Sequence, residues 1–182
     1  CQLRPGGDVS VLPVLSSKAQ ASAGAPQPEY AAGQEQEIAV LFADLRGFTR
    51  LSEKKLPYDV VFFLNRYFEV MGDAIDSAGG VINQFTGDGV MALFGVQEGP
   101  EEGCRRALRA ATAMIEGLKE MSENLAEELD EPLRMGVGIH TGPTVVGRMG
   151  RGVALYLTAV GDTVHVASRF QDLTKEYACQ LI

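Results

Sequence analysis

A hairpin signature in the middle of the chain restricts the fold more than any other feature. Two apolar runs, residues 81–85 and 90–94, flank Thr86-Gly87-Asp88-Gly89, the strand–tight turn–strand pattern of a β-hairpin. Helical periodicity lies on either side of it. Upstream, Val60, Val61, Leu64, Phe68, Met71, Ile75 and Ala78 recur at helical spacing behind Pro57, and Gly79-Gly80 ends the segment. Downstream, Cys104, Leu108, Ala111, Ile115, Leu118 and Met121 repeat the pattern behind Pro100. The apolar run 38–43, closed by Asp44, reads as a buried strand before the first helix, and residues 133–140 as one after the second. The order β-α-β-β-α-β predicts an α+β domain with a ferredoxin-like core, its antiparallel-rich sheet carrying helices on one face. Further elements follow at the C-terminal end. A strand over 143–149 is joined to 133–140 by Thr141-Gly142, and another spans 153–160. A short helix opens at Gly161-Asp162 and runs to about Leu173, and a last strand begins at Cys179.

Two carboxylates stand out by position. Asp44 ends the first strand and Asp88 sits in the hairpin turn. In a βαββαβ fold the first and third strands are central neighbours, so the two side chains are expected to converge at one end of the sheet. Such a pair suits Mg²⁺, a hard ion completed by substrate phosphates. Two ions so held activate an attacking oxygen and stabilise a leaving one. Taken alone, Gly87-Asp88-Gly89 is equally ordinary turn chemistry. Arg46-Gly47-Phe48-Thr49 follows Asp44 directly. A glycine where a strand gives way to a helix exposes N–H groups that can cradle phosphates, although a plain connecting turn has the same look. A third cluster spans 161–169, where His165 and Arg169 are four apart and share a helical face. An arginine so placed can neutralise charge on a transferring phosphoryl group; in isolation it also reads as a solvated surface residue.

Together these segments resemble the catalytic domain of class III adenylyl/guanylyl cyclases. The matching stretches are EIAVLFADLRGFT (37–49), GGVINQFTGDGVMALFG (79–95), RMGVGIHTGPTVVGRMG (134–150) and LTAVGDTVHVASRF (157–170). They lie in order with family-like spacing, and the likeness covers 37–182. The resemblance implies a head-to-tail homodimer with its sites at the subunit interface. It makes Asp44 and Asp88 the ligands of two divalent cations, Mg²⁺ or Mn²⁺. It lays a nucleoside triphosphate over Leu45, Arg46, Gly47, Phe48 and Thr49. The partner subunit supplies the base-selecting and transition-state residues, Arg169 among them. The reaction it implies is attack of the ribose 3′-hydroxyl on the α-phosphorus, with pyrophosphate leaving.

Four departures from the family pattern bear on this. Gln84 stands where adenylyl cyclases usually have Lys and guanylyl cyclases Glu, and its partner position is Thr158, where many adenylyl cyclases have Asp. No carboxylate is present to accept guanine N–H groups, which favours ATP; a glutamine amide can present either face, which keeps GTP open. His165 occupies the position of an Asn that orients the ribose, so a catalytically weak, cyclase-like nucleotide-binding or regulatory domain stays open beside an active enzyme. The family also continues past the end of this chain, to a lysine on the triphosphate, so further residues are expected downstream.

Composition bounds the rest. The 182 residues, 46% apolar and 22% charged, suffice for one globular domain and a tail. A net charge of −8 gives no basic field for nucleic acid, and metal ions can still neutralise a triphosphate. Three scattered cysteines make no disulfide framework and fit a reducing cytoplasm. Residues 1–36 are expected to be a tail, with a strand-like stretch over 9–15, and a linker rich in Ala, Gly, Gln, Ser and Pro over 17–36. The chain opens on Cys1, and a linker ahead of the 37–182 domain predicts an upstream regulatory module.

Overall fold

The apolar run that ends at Asp44 becomes the central strand of a five-stranded sheet. The structure, a computed structural model, describes residues 33–150 and 156–182. Strand β1 (Gln34–Leu45) lies between β3 (Gly89–Phe94) and β4 (Met135–Met149). Beyond them are β2 (Val81–Thr86) and β5 (Tyr156–Val160), so the order is β2-β3-β1-β4-β5, antiparallel throughout. Helices α1 (Phe48–Lys54) and α2 (Pro57–Ser77) connect β1 to β2, α3 (Pro100–Asn124) connects β3 to β4, and α4 (Asp162–Glu176) follows β5. The result is a mixed α/β domain built on an antiparallel sheet. β1 starts before the expected boundary: Gln34, Glu35 and Gln36, assigned above to the linker, pair with Val146, Val145 and Thr144. The stretch 9–15, the rest of the expected linker up to residue 32, and the first residues of the strand expected over 153–160 lie outside the described residues.

Strand alternation divides the core in two, because successive side chains point to opposite faces. Ala39, Leu41 and Ala43 of β1 join Val90, Ala92, Phe94, Met135 and Val137 in one cluster, closed by Phe63, Tyr67, Met71 and Ile75 of α2 and by Ala107, Ala110, Ala111 and Met114 of α3. Ile38 and Val40 join Met91, Leu93, Val146 and Ala159 in a second cluster, which includes Ala167 of α4. Helices therefore cover both faces, not one as expected. Glycines on β4 make this packing feasible. A Cβ on Gly138 would lie 2.2 Å from the backbone nitrogen of Gln171, and one on Gly136 would lie 2.1 Å from Thr174 Oγ1. A helix seated that close excludes any side chain beneath it.

The same contact explains why Thr141-Gly142 does not turn the chain. The two strands expected over 133–140 and 143–149 are one continuous β4, with Thr141 opposite Ala39 and Gly142 opposite Ile38. Gly142 faces Thr163 of α4, whose Oγ1 would stand 2.8 Å from an added Cβ. The helical stripes bury Met71 and Ile75 on α2 and Ala111, Leu118 and Met121 on α3 as expected, with additions and exceptions. Phe63, Tyr67 and Ala74 are buried on α2 while Val61 is exposed, and Ala107, Ala110 and Met114 are buried on α3 while Leu108 is exposed. Helix α4 runs on to Glu176, and the strand expected from Cys179 begins beside β4, with Leu181 bridged in parallel to Val137 and backbone hydrogen bonds from Val137 N–H to Gln180, from Ile182 N–H to Val137 and from Ile139 N–H to Ile182.

Candidate active site

Register brings the two carboxylates together. Asp44 lies opposite Gly89 across the β1–β3 pair, and Asp88 is the residue before Gly89. Gly87 takes the left-handed conformation (φ 65°) that the two-residue turn requires. Burial lifts the Asp44 carboxyl above the ordinary carboxylate range, the Asp88 charge pushes the same way, and Lys175 partly opposes them. Lys175 Nζ lies 3.8 Å from Asp44 Oδ2 and 3.9 Å from Asp172 Oδ1. Among the described residues no group of three or more His, Cys, Asp or Glu gathers as a metal cluster. The protein thus offers two oxygen-donating side chains. That set fits a divalent cation whose remaining ligands are phosphates and water, and it relieves the repulsion that raises the Asp44 pKa.

The turn after Asp44 narrows the expected phosphate cradle. Gly47 adopts φ 75°, ψ 13° at the N-cap of α1, with no side chain capping the helix and open space where its Cβ would be. The first N–H groups of a helix have no intrahelical acceptor, so those at Phe48 and Thr49 remain candidates for an anion. Phe48 itself is anchored by stacking on Phe63, ring centroids 6.0 Å apart. Leu45 is buried as the last residue of β1. Arg46 is committed elsewhere. Its N–H donates to the Arg134 carbonyl at 2.8 Å, and its Nη2 donates to the carbonyls of Thr174, at 2.9 Å, and Cys179. The Arg46 backbone N–H and Nη2 therefore tie the turn to Arg134 and to the C-terminal end of α4.

His165 and Arg169 do not join Asp44 and Asp88 within one chain. Helix α4 buries Thr163, Ala167, Gln171 and Thr174 against the sheet, which leaves His165 and Arg169 exposed on the opposite side. Gln84 and Thr158 stand on the two edge strands of the sheet. The β2–β3 register slips between Ile82 and Gln84, so Asn83 is an extra residue in a bulge. Asn83 is buried and its Nδ2 donates to the Leu157 carbonyl at 2.8 Å. The sheet therefore curls until β2 meets β5, one residue away from Gln84 on one side and Thr158 on the other.

The profile of the adenylate and guanylate cyclase catalytic domain matches residues 30–181. This chain belongs to that family. It is 37% identical over 158 residues to the adenylate cyclase of Anabaena cylindrica, a stretch that is 85% of this chain and 30% of that protein. Its fold is similar to the crystal structure of the guanylyl cyclase Cya2, with 38% identity and a TM-score of 0.71 over 77% of this chain and 71% of that one. It is also similar to the adenylyl cyclase CyaB from P. aeruginosa, with 32% identity and a TM-score of 0.73 over 77% and 73% of the two chains.

Two residues of this cyclase domain escape a reading of the sequence. Tyr67 is fully buried on α2, its hydroxyl has no partner among the described residues, and burial together with the charges of Asp44 and Asp88 pushes its pKa far above the ordinary value. Its place in the helical stripe makes it look like plain core. Lys175, six residues beyond Arg169, sits in what reads as a solvated helix end. The one available signal is Asp172 three residues earlier, a spacing that lets the pair meet. His140 packs edge-on against Phe170, with ring centroids 5.5 Å apart.

Proposed function

We propose that the domain converts ATP to 3′,5′-cyclic AMP and pyrophosphate, as a head-to-tail homodimer of ferredoxin-like domains in the cytoplasm, under an upstream regulatory module. The single observation that supports this most is the meeting of Asp44 and Asp88 beside the turn that opens α1. Asp44 and Asp88 would hold Mg²⁺ or Mn²⁺, two per site; when bound, such ions lower the pKa of the ribose 3′-hydroxyl and offset phosphate charge. The remaining work falls to the chain. The N–H groups from Gly47 to Thr49 hold the phosphate end, with Leu45 and Arg46 supporting the turn from behind. Gln84 and Thr158 of the partner subunit select the base. His165 of the partner subunit orients the ribose, and Arg169 of the partner subunit takes up negative charge on the α-phosphoryl oxygens as the 3′-oxygen attacks. One P–O bond forms, one breaks, the hydroxyl proton is released and pyrophosphate departs. Both reacting groups belong to one bound molecule, so positioning supplies much of the rate.

The test is product formation by the purified protein with Mg²⁺ or Mn²⁺, offered ATP and GTP separately. Metal-dependent cyclic AMP is expected from ATP. Cyclic GMP alone would make the protein a guanylyl cyclase, a reading that the two-faced amide of Gln84 keeps open and the likeness to Cya2 supports. Nucleotide binding without turnover would assign it to the regulatory class. His165→Asn then separates the two classes: an active enzyme changes kcat by less than roughly tenfold, and a gain on the order of a hundredfold would mark a site crippled by His165.

A further inference from the structure

Helix α4 ends with its final turn held over the strand end that carries Asp44. The Cys179 N–H donates to the Thr174 carbonyl at 3.2 Å, closing the helix end. Arg46 donates to the same Thr174 carbonyl and to that of Cys179. Lys175 therefore projects from a backbone anchored just before it and a few residues after it. Its ammonium group lies between two carboxylates at nearly equal distances, 3.8 Å to Asp44 and 3.9 Å to Asp172. Both separations exceed the 2.7–2.9 Å of a charge-assisted hydrogen bond. The attraction is thus between charges rather than through a locked contact, and the side chain, about half exposed at 52%, has room to move. Asp44, Asp88 and Asp172 together carry three negative charges against this one positive charge.

We infer that Lys175 is a positioning residue for the acidic pair: it neutralises Asp44 while no divalent cation is bound and yields Asp44 to the cation, falling back on Asp172. The inference rests on the reading of Asp44 and Asp88 as metal ligands. It gives Lys175 a definite effect. A cation entering at Asp44 must first displace the ammonium group, so Lys175 weakens metal binding and keeps the empty site from flying apart.

Mn²⁺ alone, titrated into the protein and followed through the electron paramagnetic resonance signal of the free ion, tests this without turnover. Lys175→Met is expected to bind Mn²⁺ about tenfold more tightly, the low end for unit charges ~4 Å apart at a half-exposed position. Lys175→Arg keeps the charge and is expected to match the parent protein. Without metal, Lys175→Met melts at a lower temperature than the parent, and saturating Mn²⁺ removes the difference. Asp44→Asn abolishes the binding in either background. If the parent binds Mn²⁺ through Asp44 and Lys175→Met binds it equally or less well, the role of Lys175 is overturned and the metal site stands. If Mn²⁺ binding is absent or indifferent to Asp44→Asn, the metal-site reading and the role of Lys175 fall together.

Discussion

Asp44 occupies a position that favours function over stability. Burial and the Asp88 charge raise its pKa above the usual carboxylate value, so folding works against its ionised form. The sign of the linkage follows. The contribution of this group to stability is fully present below its unfolded pKa and is lost as pH rises through the higher folded value. At neutral pH an ionised Asp44 is therefore a burden that a bound cation relieves. Asp44→Asn should raise the melting temperature of the metal-free protein at neutral pH by a few degrees. The gain should vanish below about pH 4 and in the presence of saturating Mn²⁺, and cyclase activity should be lost. Thermal melts of both proteins across pH, with and without Mn²⁺, check this; a lower melting point for Asp44→Asn at neutral pH would make Asp44 a structural residue. Arg46 shows the opposite balance. The sequence places it in the turn between Leu45 and Gly47 and leaves the destination of its guanidinium open. Only the fold reveals the Thr174 and Cys179 carbonyls that claim it, more than a hundred residues away in the chain.

Helix α4 is the element whose placement the sequence conceals. Strand β1, the hairpin and helices α2 and α3 are legible because continuous apolar runs bounded by turn residues mark the strands and an apolar period of three to four residues marks the helices. The convergence of Asp44 and Asp88 is legible for a related reason: both sit at strand ends, and strand order does the rest. The seat of α4 carries no such mark, since it consists of missing side chains. Gly136, Gly138 and Gly142 weaken a strand by their propensity and suggest turns, yet here they admit a helix backbone. Gly138→Ala should therefore destabilise the domain by about 3 kcal/mol, because the clash is with the Gln171 backbone and cannot be relieved by a side-chain rotation. The other end of α4 offers the reverse change. Ala178 has φ 50°, a left-handed conformation just past the helix terminus, where glycine is at ease. Ala178→Gly should stabilise the domain by ~1 kcal/mol. Chemical denaturation of the two variants measures both effects. If Gly138→Ala is neutral, α4 does not rest on that glycine.

At the scale of the molecule the chemistry is split between two surfaces that one chain does not bring together. Asp44, Asp88 and the turn that opens α1 lie at one end of the sheet, while His165 and Arg169 face outward from α4. Folding alone gives the exposed pair nothing to do: neither side chain packs into a core cluster, and α4 would seat as well without them. If the two halves meet only between protomers, each half can be inactivated on a different chain. Asp44→Asn removes the acidic pair and leaves the α4 face intact, and Arg169→Ala does the reverse. Each variant alone should be inactive. An equal mixture in free exchange should place the two variants together in half of the dimers, each with one intact site. It should thus recover roughly a quarter of the parent activity at the same total concentration, the statistical outcome for a two-fold symmetric dimer. Measuring cyclic nucleotide formation as a function of mixing ratio and of total protein decides the matter. Recovery that peaks at equal ratio and falls on dilution places the two surfaces in trans. No recovery from variants that dimerise normally would mean that Arg169 serves its own chain, and the interfacial site would have to be abandoned.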